Sequence, residues 1–156
     1  MARQTVNGAF TLEIPEGFQA ISRSELEQAG GDGENRWGVR DPQQHRVILI
    51  AWKKYPALLS ILADLKTMAK RNEQILSRKY AGAGYQARGF FSGDAGEIRT
   101  EGYRFTYQQG DVHNAAENSL LKCGKLFYSI TCIGREENTE KDREVFRKVL
   151  ESLETL

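Results

Sequence analysis

Three charged side chains on neighbouring segments of the sequence are the first candidates for chemistry. Arg104 lies in EGYRFTY, whereas His113 and Glu117 lie in VHNAAENS, beyond the turn-like QQGD. If the two segments form an antiparallel hairpin, alternate side chains share a face, and the three charges lie on one side of the sheet. Such a group could bind a small polar ligand in a pocket. It could equally be a cross-strand charge cluster in contact with solvent.

The second segment is unusually polar for a strand in the middle of a sheet. From Val112 to Ser119 its only apolar side chains after the valine are two alanines, before Leu120 and Leu121 follow. A strand covered on one face alternates apolar and polar residues, and a strand covered on both faces is apolar throughout. We therefore interpret this strand as lining an open part of the sheet and as the best candidate recognition surface.

The turns determine which side chains face each other. A two-residue turn at Gln109 and Gly110 places Arg104 opposite Ala115, and a second turn follows near Gly124. The charged face then also carries Tyr128, Ile130 and Cys132. The opposite face carries Tyr103, Phe105, Tyr107, Asn114, Ala116 and Asn118.

Other residue types suited to catalysis or metal binding do not cluster. His45 and His113 have no partner at metal-ligand spacing, and the sequence contains no GxSxG or P-loop motif. Cys123 and Cys132 are predicted to be unpaired, because a hairpin turn at Gly124 separates them by roughly 25 Å. The sequence therefore predicts no catalytic residue, no metal site and no cofactor.

Two tryptophans in the first predicted hairpin are candidates for a binding role. Trp37 and Trp52 are either core residues or surface anchors for a partner protein, because large aromatic rings serve both purposes. Lysines and arginines on the helix that follows leave its exposed face positive. That face is either a solvated surface or a site for an acidic partner.

Length and charge limit the class of protein. With 156 residues, the chain is long enough to build its own core, and we predict a single domain over residues 1–156. Lys and Arg number 22 against 21 Asp and Glu, so charge gives no reason to expect a nucleic-acid partner. No apolar run reaches the ~18 residues of a membrane span, and the N-terminus resembles no secretory signal. We therefore predict a cytoplasmic protein with no membrane span.

Hydrophobic periodicity predicts a mixture of strands and helices. FTLEIPEGF alternates as a half-buried strand, and Ser22 with Glu25 forms a capping box for a short helix. RWGVRD and RVILIAW flank PQQH as a hairpin. A long helix is then predicted from Pro56 to Tyr80, with one apolar stripe along its length.

Four more strands and a final helix complete the predicted order. The strands are expected at roughly 85–91, 97–107, 112–122 and 125–134, joined by the short linkers SGDA, QQGD and CGK. Thr139 and Asp142 resemble a capping box at the start of the last helix.

This order of elements resembles the PsbP-like superfamily. The similarity is carried by FTLEIPEGF, the helix after the first hairpin, GEIRTEGYRFTYQQGDV, KLFYSITC and the closing helix FRKVLESLE. It extends over nearly the whole chain, through element order and loose patterns. The resemblance implies an α+β fold, an α/β/α sandwich with a central antiparallel sheet of about six or seven strands and two long helices. It also implies a non-enzymatic, protein-binding role.

Two classes of function are compatible with these observations. The first is a cytoplasmic protein-binding or chaperone-like domain, not an enzyme, that presents its sheet and the Trp37/Trp52 hairpin to a protein partner. The alternative is a small-molecule-binding protein or weak enzyme in which Arg104, His113 and Glu117 line a pocket. A homodimer through an exposed strand edge is a further possibility.

Overall fold

The computed structural model describes residues 2–28, 35–54 and 64–156. Its strands are β1 (Ala2–Val6), β2 (Phe10–Ile14), β3 (Gln19–Ala20), β4 (Arg36–Asp41), β5 (Arg46–Lys54), β6 (Gln86–Ala95), β7 (Ile98–Gln109), β8 (Val112–Cys123), β9 (Leu126–Arg135) and β10 (Glu154–Thr155). Its helices are α1 (Arg23–Gln28), α2 (Leu65–Lys79) and α3 (Thr139–Glu151), with short 3₁₀ turns at Ala81–Ala83 and Glu136–Asn138.

A seven-stranded antiparallel sheet organises the molecule. Its strand order is β3-β4-β5-β9-β8-β7-β6, and β1, β2 and β10 form a separate three-stranded sheet. The first hairpin, β4-β5, joins the later meander, β6 to β9, through the pairing of β5 with β9. The predicted α+β fold, with a mainly antiparallel sheet of six or seven strands and two long helices, is confirmed.

The two faces of the large sheet have different covers. Helix α3 and the small sheet cover one face, which we call the α3 face. Helix α2 packs on the other, the α2 face, against buried aromatic side chains of β7. The core of the α3 face includes Phe10, Leu12, Ile48, Ile50, Tyr128, Ile130, Phe146 and Val149. The core of the α2 face includes Met68, Ala69, Tyr103, Phe105, Tyr107, Leu120 and Phe127.

The two tight turns that join β7, β8 and β9 each lie one residue later in the sequence than predicted. The two-residue turns are Gly110–Asp111 and Gly124–Lys125, so Arg104 lies opposite Glu117 instead of Ala115. Both glycines adopt positive φ, 60° and 63°, which such tight turns require at their first position. Each residue of β7 therefore pairs with β8 two positions further along than predicted, and the same holds for β8 and β9. Because the shift is an even number of residues, every side chain stays on its predicted face.

The central polar strand is buried, so the prediction that β8 lines an open part of the sheet is wrong. Asn114, Glu117, Asn118 and Ser119 are all at most 9% exposed. The physical reason is that cross-strand partners bind the side chains of Asn114, Glu117 and Asn118, although Asn118 Oδ1 has no partner among the described residues. Asn118, for example, donates to Ser129 Oγ and Thr131 Oγ1 at 2.7 and 2.8 Å.

Several predicted boundaries also change. Strand β6 runs through SGDA to Ala95, and the turn to β7 lies at residues 96 and 97. Helix α2 begins after Asp64, whose side chain accepts a hydrogen bond from Thr67 N at 2.7 Å. The predicted helix start at Pro56 lies outside the described residues. The short strands β1, β3 and β10 were not predicted, because two to five residues carry too little periodicity.

The two predicted capping boxes have different outcomes. Ser22 and Glu25 do form one at α1, where Glu25 N donates to Ser22 Oγ at 3.3 Å. At α3 the prediction is wrong, because Asn138 is the N-cap and Thr139 is already helical. Asp142 is instead bound to Arg46, the first residue of β5.

This contact joins the first hairpin to the last helix. Arg46 Nε donates to Asp142 Oδ1 at 2.5 Å, and Arg46 Nη1 lies 4.0 Å from Asp41 Oδ2. The side chains of Arg46, Asp142 and Asp41 expose only 12%, 5% and 7% of their surface. Burial raises the pKa of Asp142, although the guanidinium opposes that rise. Two carboxylates therefore share one buried cation.

Replacing this cation tests how much it contributes to the stability of the fold. Arg46→Met should lower the free energy of unfolding by about 3–5 kcal/mol, because it leaves two buried carboxylates without a counter-charge. Chemical denaturation measures the change. Arg147→Met is the matched control, since Arg147 pairs with Glu151 on the exposed face of α3 and such pairs contribute about 0.3–0.5 kcal/mol.

The same variant has a predictable pH dependence. An acid whose pKa is raised by folding contributes stability at low pH that is lost as pH rises through the folded pKa. Without Arg46 the pKa of Asp142 rises further, so the deficit of Arg46→Met should shrink from about pH 7 to about pH 5. A deficit that stays constant over this range would contradict the assignment.

Candidate functional site

A charged cavity lies on the α3 face, between the meander and the start of α3. Its volume is about 330 Å³. Its charged lining residues are Arg88, Arg104, Glu117, Glu136, Asp142 and Arg143. Strands β6 to β8 supply three of these residues, and α3 with the preceding 3₁₀ turn supplies the others. The cavity therefore contains three guanidinium groups and three carboxylates.

Arg104 is held by stacking and by an ion pair. Its guanidinium carbon lies 4.2 Å from the centre of the Phe91 ring, and its Nε donates to Glu117 Oε2 at 3.2 Å. The Phe91 ring lies over Gly102, the residue directly opposite it on β7. The glycine thus makes space for the ring on which the arginine stacks.

The floor of the cavity is anionic and deeply buried. Glu117 is 9% exposed and Asp142 is 3% exposed, with the Cys132 thiol as a further neighbour. Glu117 uses one oxygen for Arg104, and Asp142 uses Oδ1 for Arg46. Oδ2 of Asp142 has no hydrogen-bond partner among the described residues. It lies against Gly134, where any side chain would overlap it.

Cys132 does not have the surroundings of a nucleophile. Burial raises the pKa of its thiol well above the usual range, and the carboxylates of Glu117 and Asp142 add to that rise. Reactive thiolates lie beside positive charge and near solvent instead. Cys123 and Cys132 are both unpaired, as predicted.

The exposed rim of the cavity carries two arginines, Arg88 and Arg143, and the carboxylate of Glu136. Arg88 is oriented by neutral partners only, with Nη2 at 2.7 Å from Gln86 Oε1 and Nε at 3.3 Å from Thr106 Oγ1. Arg143 projects from the second turn of α3. In the part of the chain that the structure describes, neither arginine has a carboxylate within ion-pair distance. Glu136 also lines the cavity, 3.7 Å from Nδ1 of His113.

The three residues predicted to form a site are only partly brought together. Arg104 and Glu117 face each other inside the charged cavity. His113 lies on the same face, but it is exposed beyond the cavity, where Gln108 Nε2 is 2.9 Å from its Nδ1. It reaches the cavity only through Glu136.

A second concave surface lies on the α2 face, and we call it the aromatic groove. It has a volume of about 340 Å³ and lies between α2, α1 and strands β4, β5 and β7 to β9. Its apolar lining is Leu26, Trp37, Leu49, Ile50, Ala51, Ile75, Leu76, Tyr80, Tyr103, Phe105, Tyr107 and Ile133. Its charged lining is Arg36, Lys53 and Lys79. The described lining of this groove contains no carboxylate.

The wall and floor of the aromatic groove are uncharged. Burial raises the pKa of Tyr107 to about 12 and raises that of Tyr103 as well, so both phenols stay neutral at physiological pH. The Tyr80 and Tyr107 rings stack at 4.8 Å. Asn118, Ser129 and Thr131 form a small polar floor between the aromatic residues.

The two tryptophans are half-buried and differ in position. Trp37 lies opposite Ile50 and packs against the core of the α3 face, so it only borders the aromatic groove. Trp52 packs beside Tyr128, with ring centres 5.9 Å apart, and lines a separate cavity near Met68. Both tryptophan rings therefore belong mainly to the core of the α3 face.

Sequence patterns alone did not find most of the cavity residues. Arg88 and Arg143 lie on other elements than Arg104, and nothing in their local pattern marks them. One signal was available for Asp142, since an acidic residue inside an apolar helical stripe is unusual and needs a buried partner.

The glycine beneath Phe91 provides a test of how the site is built. A Cβ at residue 102 would overlap the backbone carbonyl of Asn118 and come within 2.8 Å of Phe91 Cζ. Gly102→Ala should therefore lower the free energy of unfolding by about 1–3 kcal/mol, measured by chemical denaturation. Gly82→Ala is the control, because a Cβ added there would meet no atom within 4 Å. Equal stability of the two variants would rule out this packing.

Comparisons with known proteins identify a fold. No protein-family model matches the sequence, and no curated protein shows significant similarity to it. Cyanobacterial PsbP from Synechocystis sp. PCC 6803 superposes with a TM-score of 0.73 at 13% identity, over 99% of this chain and 92% of that protein. LpqN of Mycobacterium tuberculosis, involved in cell envelope biogenesis, superposes with a TM-score of 0.60 at 11% identity, over 94% and 82%.

A Pseudomonas aeruginosa protein of unknown function, PA94, is a third structural neighbour. It superposes with a TM-score of 0.51 at 9% identity, over 97% of this chain and 94% of that protein. At such low identities the similarity concerns the fold alone. Within the described residues, no helix is long and apolar enough to span a membrane. The predicted resemblance is confirmed at the level of architecture, and the chain has the PsbP-like fold.

Proposed function

We propose that the chain is a non-enzymatic, protein-binding domain that acts in the cytoplasm and holds a segment of a partner protein in the aromatic groove. The observation that carries this proposal is the groove itself, an open, largely apolar surface bordered by cations. Ile75 on its margin is 55% exposed, and large exposed apolar side chains beside an apolar groove are typical of interaction sites.

The residues that line the groove indicate which kind of partner segment would bind there. Aromatic and aliphatic side chains along its wall suit an amphipathic segment whose apolar residues are buried. Arg36 and Lys79 border the groove, and its described lining supplies no negative charge. A segment that combines apolar residues with Asp or Glu therefore fits best, because its carboxylates meet those cations.

The first hairpin borders the groove through Arg36 and Leu49, whereas the ring of Trp37 packs with Ile50 on the α3 face. A second copy of the chain is a weaker candidate for the occupant, since the chain has a nearly balanced charge of +1 and offers no acidic excess. The two unpaired thiols are compatible with a reducing compartment.

A pair of designed peptides tests the proposal. The first is a fluorescent amphipathic helix with a leucine face and glutamates elsewhere, and the second carries lysines in place of the glutamates. We expect the acidic peptide to bind at least about tenfold more tightly, and more weakly as salt is added. Fluorescence anisotropy measures both affinities.

Matched variants show where the peptide binds. Ile75→Glu should weaken the acidic peptide at least about tenfold, through lost apolar contact and added repulsion. Arg147→Glu makes a charge change on the exposed face of α3 and should leave affinity unchanged. Equal binding of the two peptides, or an Ile75→Glu variant that binds like wild type, would overturn the proposal. A rise in mass to a dimer that Ile75→Glu abolishes would assign the groove to a second copy instead.

A further inference from the structure

We propose that the charged cavity on the α3 face binds a small zwitterion of the amino acid class, with its ammonium group at the floor and its carboxylate at the rim. This site is independent of the proposed function, because it lies on the opposite face of the sheet from the aromatic groove. It involves different side chains and a different kind of ligand.

The floor of the cavity offers acceptors to a positively charged donor. Glu117 has one oxygen occupied by Arg104, and its other oxygen accepts no hydrogen bond from the described residues. Asp142 lies behind it, with its Oδ2 packed against Gly134, and adds negative charge beneath the floor. An ammonium group with three N–H donors could donate to the remaining oxygen of Glu117.

The rim of the cavity offers donors to an anion. Arg88 is held in place by Gln86 and Thr106, both neutral, so its guanidinium keeps its full charge available. Arg143, in the second turn of α3, also lines the exposed rim. Guanidinium groups bind carboxylates through paired N–H donors. The two arginines outnumber the exposed carboxylate of Glu136, so the outer end of the cavity keeps a net positive charge.

The arrangement disfavours ligands that carry charge of only one sign. A simple anion would face the buried carboxylates of Glu117 and Asp142, and a simple amine would face the arginines of the rim. A molecule with both charges satisfies the floor and the rim together. The volume of about 330 Å³ is near the lower end for ligand pockets, about 300–1,000 Å³, and suits a free amino acid or dipeptide.

Titration of the full chain with free amino acids tests this proposal. Amide chemical shifts in a ¹H–¹⁵N spectrum are followed while each of the common amino acids is added to millimolar concentration. We expect at least one to shift the resonances of Ala115, Cys132 and Gly134, around the cavity, and to leave those of Ile75 and Leu76, on the groove, in place. For that amino acid, the corresponding amine without carboxylate and the acid without amine should each bind at least about tenfold more weakly.

Two variants test whether the ligand contacts both the floor and the rim of the cavity. Glu117→Gln should weaken the amino acid at least about tenfold, and Arg143→Gln, a change on the exposed rim that leaves the fold intact, should do the same. Arg147→Gln, one helical turn further along α3, should bind like wild type. Binding of the acid alone as tightly as the zwitterion would overturn the proposal, as would equal binding of the amine alone. Absence of shifts at the cavity for every amino acid would also overturn it. None of these outcomes bears on peptide binding in the aromatic groove.

Discussion

The buried contact between Arg46 and Asp142 is the constraint on which the α3 face depends. It joins the start of β5, in the first hairpin, to the first turn of the last helix, across 96 positions of sequence. The carboxylate also lies against Gly134 of β9, so three distant segments meet at one point. Because a displaced helix would leave buried charge uncompensated, α3 has a single position on the sheet. The charged cavity takes its shape from that position.

The polar strand β8 has a related explanation. Its consecutive residues Glu117 and Asn118 point to opposite faces, and each has partners on neighbouring strands. Buried polar groups with such partners are tolerated in a core, and they also fix the register, since a slip would leave them unpaired. The polar side chains of β8 that suggested an open surface therefore form a buried polar row, here called the seam, along the centre of the sheet. Each side of that seam reaches the floor of a concave surface.

The sequence predicted local structure better than long-range contacts. Alternation along β7 to β9 and the periodicity of the two helices placed the elements and assigned side chains to faces, because these depend on neighbours a few residues away. The turn positions were wrong by one residue, since QQGD and CGK each permit two placements of the glycine. The Arg46–Asp142 contact and the meeting of Arg88, Arg104 and Arg143 around one cavity depend on how separate segments pack. Only the folded chain shows them.

The placement of the two concave surfaces bears on how they would act together. Alternate side chains of a strand point to opposite faces, so the charged cavity and the aromatic groove share only one of their lining residues and have different helical covers. Phe105 borders both surfaces, on β7 next to the stacked Arg104. Any coupling between ligands on the two faces must therefore pass through the backbone of β7 and β8. Those strands are fixed by the tight turn at Gly110 and by the hydrogen-bonded seam, so the two surfaces should bind their ligands independently.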